Sequence, residues 1–129
     1  MNKKMNWLEA LDYADSLGEG WRLPNCKELL ILWDYDTMAP IIEMEPFYYW
    51  SSTTLAYYPY LAWDVSFYNG YVYNNNKYDN FYVRCVRGGQ FDYQGSLIVM
   101  GLAEGQARIT LNEDGTITDN CTGLTWEAA

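Results

Sequence analysis

The hydrophobic period of this chain changes once, near residue 48, from helical spacing before that point to alternation after it. A chain with that change is expected to fold as an α+β domain, with short helices laid on a sheet. From Trp7 to Leu17 the apolar residues Trp7, Leu8, Leu11, Ala14 and Leu17 recur at helical spacing, with Glu9, Asp12 and Asp15 on the other face. Asn6 is placed to cap this helix with Glu9 three positions on, and Gly18 to stop it. Asn25 and Glu28 repeat the start signal before Leu29-Leu30-Ile31-Leu32-Trp33, and breakers from Asp34 to Pro40 keep the second helix short.

Beyond Tyr48 the pattern is that of strands. Leu61, Trp63, Val65 and Phe67 point one way and Ala62, Asp64, Ser66 and Tyr68 the other. Asn69-Gly70 then predicts a two-residue hairpin turn with both residues at positive φ, and Tyr71-Val72-Tyr73 begins the return strand. Asn74-Asn75-Asn76-Lys77 reads as a loop, and Phe81 to Arg87 as one strand stopped by Gly88-Gly89. In the last third, Ser96 to Met100, Arg108 to Leu111, Thr116 to Asp119 and Leu124 to Trp126 read as short strands, the middle two joined by the turn Asn112-Glu113-Asp114-Gly115.

Composition narrows the function classes. The chain has 129 residues, enough for one domain, with 17 acidic against 8 basic residues and no His. Lacking His, it has no Ser-His-Asp set and loses the commonest general base and metal ligand. Its charge disfavours nucleic acid and anionic membranes as partners, and no segment approaches the roughly 20 apolar residues of a membrane span. Met1-Asn2-Lys3-Lys4-Met5 leads into a polar-faced helix and does not resemble the core of a signal peptide.

The ordered set Gly20-Trp21-Arg22-Leu23-Pro24-Asn25, Lys27-Glu28-Leu29, Tyr49-Trp50-Ser51-Ser52-Thr53-Thr54, Ala62-Trp63, Gly70-Tyr71-Val72-Tyr73 and Tyr82-Val83-Arg84-Cys85-Val86-Arg87-Gly88-Gly89 resembles the bacterial DUF1566 family. That family includes the C-terminal domain of a Legionella collagen-like adhesin. The resemblance implies a C-type-lectin-like fold: two short helices packed on a twisted, mainly antiparallel sheet. It also implies an extracellular or cell-surface setting, a role in adhesion, and no cofactor.

One segment departs from the family order. Asp114-Gly115-Thr116-Ile117-Thr118-Asp119-Asn120-Cys121-Thr122-Gly123-Leu124-Thr125-Trp126 is similar to the segment that usually opens the family's domain, yet here it stands near the end. Joining Trp126-Glu127-Ala128-Ala129 to Met1-Asn2-Lys3-Lys4-Met5-Asn6-Trp7 would restore the usual run, so the chain reads as circularly permuted or strand-exchanged. The expected parts are a body over residues 1–89, a connector over 90–107 with its own short strand, and a completing hairpin and strand over 108–129. The tail is expected to complete its own domain, to enter a neighbouring copy head to tail and so build a filament, or to belong to a tandem array. Strand donation is the preferred form, with Ile109, Leu111, Ile117, Leu124 and Trp126 as its assembly residues, and a free-standing ligand-binding module is the alternative.

Ten of the thirteen Tyr fall between Tyr48 and Tyr82, interleaved with Asn. Tyr offers rigid amphipathic area and Asn adaptable hydrogen bonding, the mixture of antibody loops. The expected ligand surface, for a glycan or a protein, is Tyr57, Tyr58, Tyr60, Tyr68, Asn69, Tyr71, Tyr73, Asn75, Tyr78 and Asn80. No catalytic residue and no metal site is expected. Glu45-Pro46-Phe47 and Trp63-Asp64 lack ligands of the calcium site of sugar-binding C-type lectins, and Asp64 reads as an exposed strand residue. Arg22, Arg84 and Arg87 read as partners of acids such as Glu28. The three Cys allow one disulfide or none; Cys85 reads as a buried thiol, and Cys26 with Cys121, both at element ends, as the expected pair.

Overall fold

Both helices begin where the capping boxes place them. In the computed structural model, which describes residues 3–128, α1 spans Trp7–Leu17 and α2 spans Cys26–Ile31. Asn6 accepts from the Glu9 N–H while Glu9 accepts from the Asn6 N–H, and Asn25 and Glu28 repeat that exchange. Each pair satisfies two helix-end donors, a contribution of about 1 kcal/mol per cap. The proposed splice through Met1, Asn2 and Ala129 lies outside the described residues.

The strands are β1 (Lys4–Met5), β2 (Trp33–Asp34), β3 (Ala39–Pro40), β4 (Tyr48–Leu55), β5 (Tyr58–Ser66), β6 (Val72–Asn76), β7 (Phe81–Tyr82), β8 (Val86–Gly88), β9 (Ile109–Leu111), β10 (Ile117–Asp119) and β11 (Leu124–Trp126). A five-stranded sheet runs β1-β7-β4-β5-β6, antiparallel except where β7 meets β4. A four-stranded antiparallel sheet runs β8-β11-β10-β9, and β2 pairs with β3 alone. The architecture is therefore α+β with two short helices and mixed sheets.

The large sheet is covered on both faces. Leu29, Leu32, Tyr49, Val65 and Phe67 form part of one buried cluster, while Trp7, Ala10, Ala14, Trp50 and Ala62 form part of the other. Asp64, expected as an exposed strand residue, is buried, as are Ala62 and Ser66, and Ala62 packs in the cluster to which α1 supplies Trp7, Ala10 and Ala14.

Other boundaries also moved. The turn after β5 spans five residues: Ser66 N–H donates to Tyr71, Gly70 N–H donates to Ser66, and only Gly70, at φ 76°, takes positive φ. A Cβ on Gly70 would lie 2.4 Å from the Trp33 indole nitrogen, so tight packing as well as backbone angle selects glycine. Asn74, Asn75 and Asn76 belong to β6, held by pairing with Trp63, Ala62 and Leu61. The strand expected from Phe81 to Arg87 breaks into β7 and β8, with Val83, Arg84 and Cys85 between them. Ser96 to Met100 forms no strand beyond one bridge between Phe91 and Leu97.

The tail closes its own body in the structure. Trp126 pairs with Val86, Thr125 with Arg87 and Leu124 with Gly88. Leu124 and Trp126 are fully buried and Ile117 nearly so, each side chain contributing about 1.5–3 kcal/mol by its removal from water. Ile109 packs partly against the same core, but Leu111, expected to act with them, is 77% exposed.

Candidate functional site

β5 carries the Tyr-rich segment, and its nine residues separate the Tyr side chains into two groups. At a rise of about 3.3 Å per residue the strand is roughly 26 Å long, so its ends present distinct surfaces.

At the β4–β5 turn stand Tyr57, 91% exposed, with Tyr58, Tyr60 and Tyr78. Leu8, Pro59, Tyr60, Lys77 and Tyr78 line an open cleft of about 360 Å³. Tyr58 and Tyr60 meet edge to face at 6.2 Å. The Lys77 ammonium lies 4.4 Å from the Trp7 ring centre and also donates to the Pro59 carbonyl. Backbone bonds from Lys77 to Tyr60 and from Trp7 to Lys77 fix that end of the segment against α1.

At the opposite end, Tyr68, Asn69, Tyr71 and Tyr73 gather around the β5–β6 turn. The Asn69 amide donates to the Tyr73 hydroxyl at 2.9 Å, and Tyr73 meets Tyr48 edge to face at 5.3 Å. Phe47 and Tyr48 divide two open hollows here. One is completed by Pro46, Ser66, Tyr68 and Asn69, and the other by Lys4, Asn80, Phe81 and Tyr82. Lys4 Nζ stands 5.0 Å from the Tyr82 ring centre and 5.7 Å from that of Phe47. The sequence pattern did not single out Phe47, Tyr48 or Lys4, because the hollow joins three separate stretches of chain.

Asn75 belongs to neither group. Its amide donates to Asp64 Oδ2 at 2.8 Å, while Asp64 Oδ1 is buried without a partner. Burial, only partly offset by the Asn75 bond, raises the Asp64 carboxyl to about 7. Asp64 is thus a buried acid and not the exposed strand residue expected. An adjacent β5 position, Trp63, offers its carbonyl to the Ser51 hydroxyl at 2.7 Å, and Ser51 Oγ in turn accepts from the Cys26 thiol at 3.3 Å.

The expected Cys26–Cys121 disulfide is not formed; Cys26, Cys85 and Cys121 are free thiols. Cys26 opens α2 beside Ser51 and Thr53, whereas Cys121 follows Asp119 and accepts Met100 N–H at its carbonyl. Among the arginines, Arg22 pairs with buried Glu28 through two contacts of 2.6 Å, and Arg87 reaches Glu19 at 3.5 Å. Arg84 has no carboxylate partner among its hydrogen bonds and instead donates to the carbonyls of Glu127 and Glu43. Its buried guanidinium therefore ties the tail to the body.

No helix among the described residues is long and apolar enough to cross a membrane, and no three His, Cys, Asp or Glu side chains gather there as a metal cluster. No curated protein and no solved structure shows significant similarity to the chain. A family model described as the Lcl C-terminal domain matches residues 1–87, which is the helical region and the large sheet as far as β8, and leaves the connector and tail outside. With more than half of its length matched, the chain belongs to the Lcl C-terminal domain family.

Proposed function

We propose that this chain is a non-catalytic recognition domain of an extracellular or cell-surface adhesin, C-type-lectin-like in fold, and that its two aromatic ends contact a neutral glycan. The observation that carries this reading is the pair of exposed tyrosine groups mounted on the β4–β6 ladder, with Tyr57, Tyr60, Tyr68, Tyr71 and Tyr78 all facing solvent. Tyr rings lose little conformational freedom on contact, and flanking amides supply hydrogen bonds to hydroxyl groups. The excess of acids disfavours polyanionic ligands. Membership in an adhesin-type family supports the setting. The raised Asp64 carboxyl is the group nearest to catalytic character, but it has no solvent-accessible surface to meet a substrate.

A glycan array with the purified chain tests this. Binding to neutral oligosaccharides should fall at least tenfold in Tyr57→Ala plus Tyr78→Ala, or in Tyr68→Ala plus Tyr71→Ala, without loss of stability. A silent array, or binding indifferent to both double variants, would overturn the reading.

A second reading, donation of the tail to a neighbouring copy, is favoured by one observation. Residues 90–107 are exposed at nearly every position, so the connector itself adds little to holding the tail at home. The same β11–β8 pairing made between copies would build a filament. Electron microscopy and light scattering at micromolar concentration decide it, a monomer without polymer counting against donation.

A further inference from the structure

An open apolar cavity lies away from the tyrosines, beside β9. It encloses about 660 Å³, with buried Ile42 and Ile117 as floor and Ile41, Ile109, Leu111 and Ala128 around them. β9 is the last strand of its sheet, and its outer edge pairs with nothing among the described residues. Asn112 N–H donates to Thr116 and Asn120 N–H to Arg108, which sets Arg108, Thr110 and Asn112 as the residues bonded to β10. By antiparallel alternation the backbone groups of Ile109 and Leu111 therefore point outward, along the cavity. Edge strands are commonly blunted by Lys, Pro or a bulge, and Ile109-Thr110-Leu111 carries none of these.

Acids without an ion-pair partner stand beside the edge. Glu43 lines the cavity, Glu113 and Asp114 stand exposed in the turn beside it, and none of the three forms an ion pair among the described residues. The neighbouring cations are engaged: Arg108 by Asp119 at 3.0 Å, Arg87 by Glu19 at 3.5 Å, and Arg84 by the carbonyls of Glu127 and Glu43. We propose that β9 and this cavity form a docking site for an extended polypeptide segment in which apolar residues alternate with Lys or Arg, added as a strand to the free edge. Main-chain bonds to Ile109 and Leu111 hold such a strand, its apolar side chains enter the cavity, and its cations meet the acidic rim. A second copy of this chain fits worse, because its own β9 would bring the same acids against Glu43, Glu113 and Asp114. The site is separate from both aromatic groups and does not depend on the recognition reading.

The test is a two-dimensional NMR titration of the full chain with a capped nine-residue peptide repeating Lys-Val-Thr-Ile, and with its counterpart carrying Glu for Lys. Saturable shifts confined to residues 109–111 and 41–43, with binding at least tenfold weaker for the acidic peptide, are expected. Ile109→Pro removes one outward N–H without touching the Thr110–Thr118 bonds and should weaken binding at least tenfold. Should that variant unfold, Glu43→Lys plus Glu113→Lys decides the matter: it should invert the preference in favour of the acidic peptide. Unsaturable shifts, equal binding of both peptides, shifts centred on the tyrosines, or β9 shifts that follow protein concentration alone would each overturn the proposal, the last assigning the edge to a second copy.

Discussion

Glu127 Oε1 accepts the backbone N–H of Cys85 at 3.0 Å, so a carboxylate near the chain's end satisfies a donor in the gap between β7 and β8. Its other oxygen takes Lys3 Nζ at 3.2 Å and the Tyr13 hydroxyl, while its backbone carbonyl takes Arg84 Nε at 2.8 Å. One tail residue thereby joins the region before α1, α1 itself and the approach to β8. Glu127→Ala should lower stability by about 1.5–3 kcal/mol, the scale of losing charged hydrogen bonds and stranding a buried donor. Glu127→Gln, which keeps an acceptor, should cost less. Urea denaturation of both variants at pH 7 checks the order, and equal midpoints would rule out the latch.

Asp64 gives the fold an unusual pH dependence. Burial raises its folded carboxyl from the ordinary 3.8 to about 7, so between these values the native state holds a proton that the unfolded state releases. Its contribution to stability is therefore fully present below pH 4, falls as pH rises, and is lost above about 7. Paired acids such as Glu28 and Asp119 remain in both proteins, so comparison with Asp64→Asn isolates the effect. The variant should match the parent near pH 4 and exceed its stability at pH 8, by at most roughly 1.4 kcal/mol per unit of the shift. Parallel stability curves from pH 4 to 8 would refute this assignment.

Cys85 is fully buried, and burial, with the Glu127 charge adding to it, pushes its thiol up to about 12. Alkylation of the native protein at pH 8 should spare Cys85 and reach it only after unfolding. Unfolded without reductant, the chain should show three free thiols and run as a single band on a non-reducing gel. A ladder, or one free thiol, would restore the Cys26–Cys121 or an intermolecular bond.

Gly88 sits at φ 79°, and a Cβ there would lie 2.9 Å from the Gly123 carbonyl oxygen. Gly88→Ala should therefore cost about 1–3 kcal/mol and loosen the tail before the body. Trp126→Ala, which empties a fully buried site, should cost about 3–5 kcal/mol. Hydrogen exchange at β10 and β11 in Gly88→Ala should rise more than at β4 and β5; a uniform rise would mean that tail and body open as one unit.

Local chemistry made α1, α2, the Asn112–Gly115 turn and the β9, β10 and β11 strands legible, because a capping box, a helical period and a short turn are each complete within a few residues. The Arg22–Glu28 pair was legible for the same reason, its members standing six positions apart. Asp64 was not. Alternation assigned it correctly to the face shared with Ala62 and Ser66, but alternation cannot say whether a second layer covers that face. The division of the tyrosines, the loss of Asn75 to Asp64 and the joining of Phe47 to Lys4 likewise depend on which distant segments cross the sheet. Sequence by itself determined the two helices, the short strands of the tail and the excess of acid. Only the tertiary structure decided where the tail pairs, which acids are buried and which edge stays open, because burial and strand pairing are properties of chain parts that meet in space and carry no mark of one another along the chain.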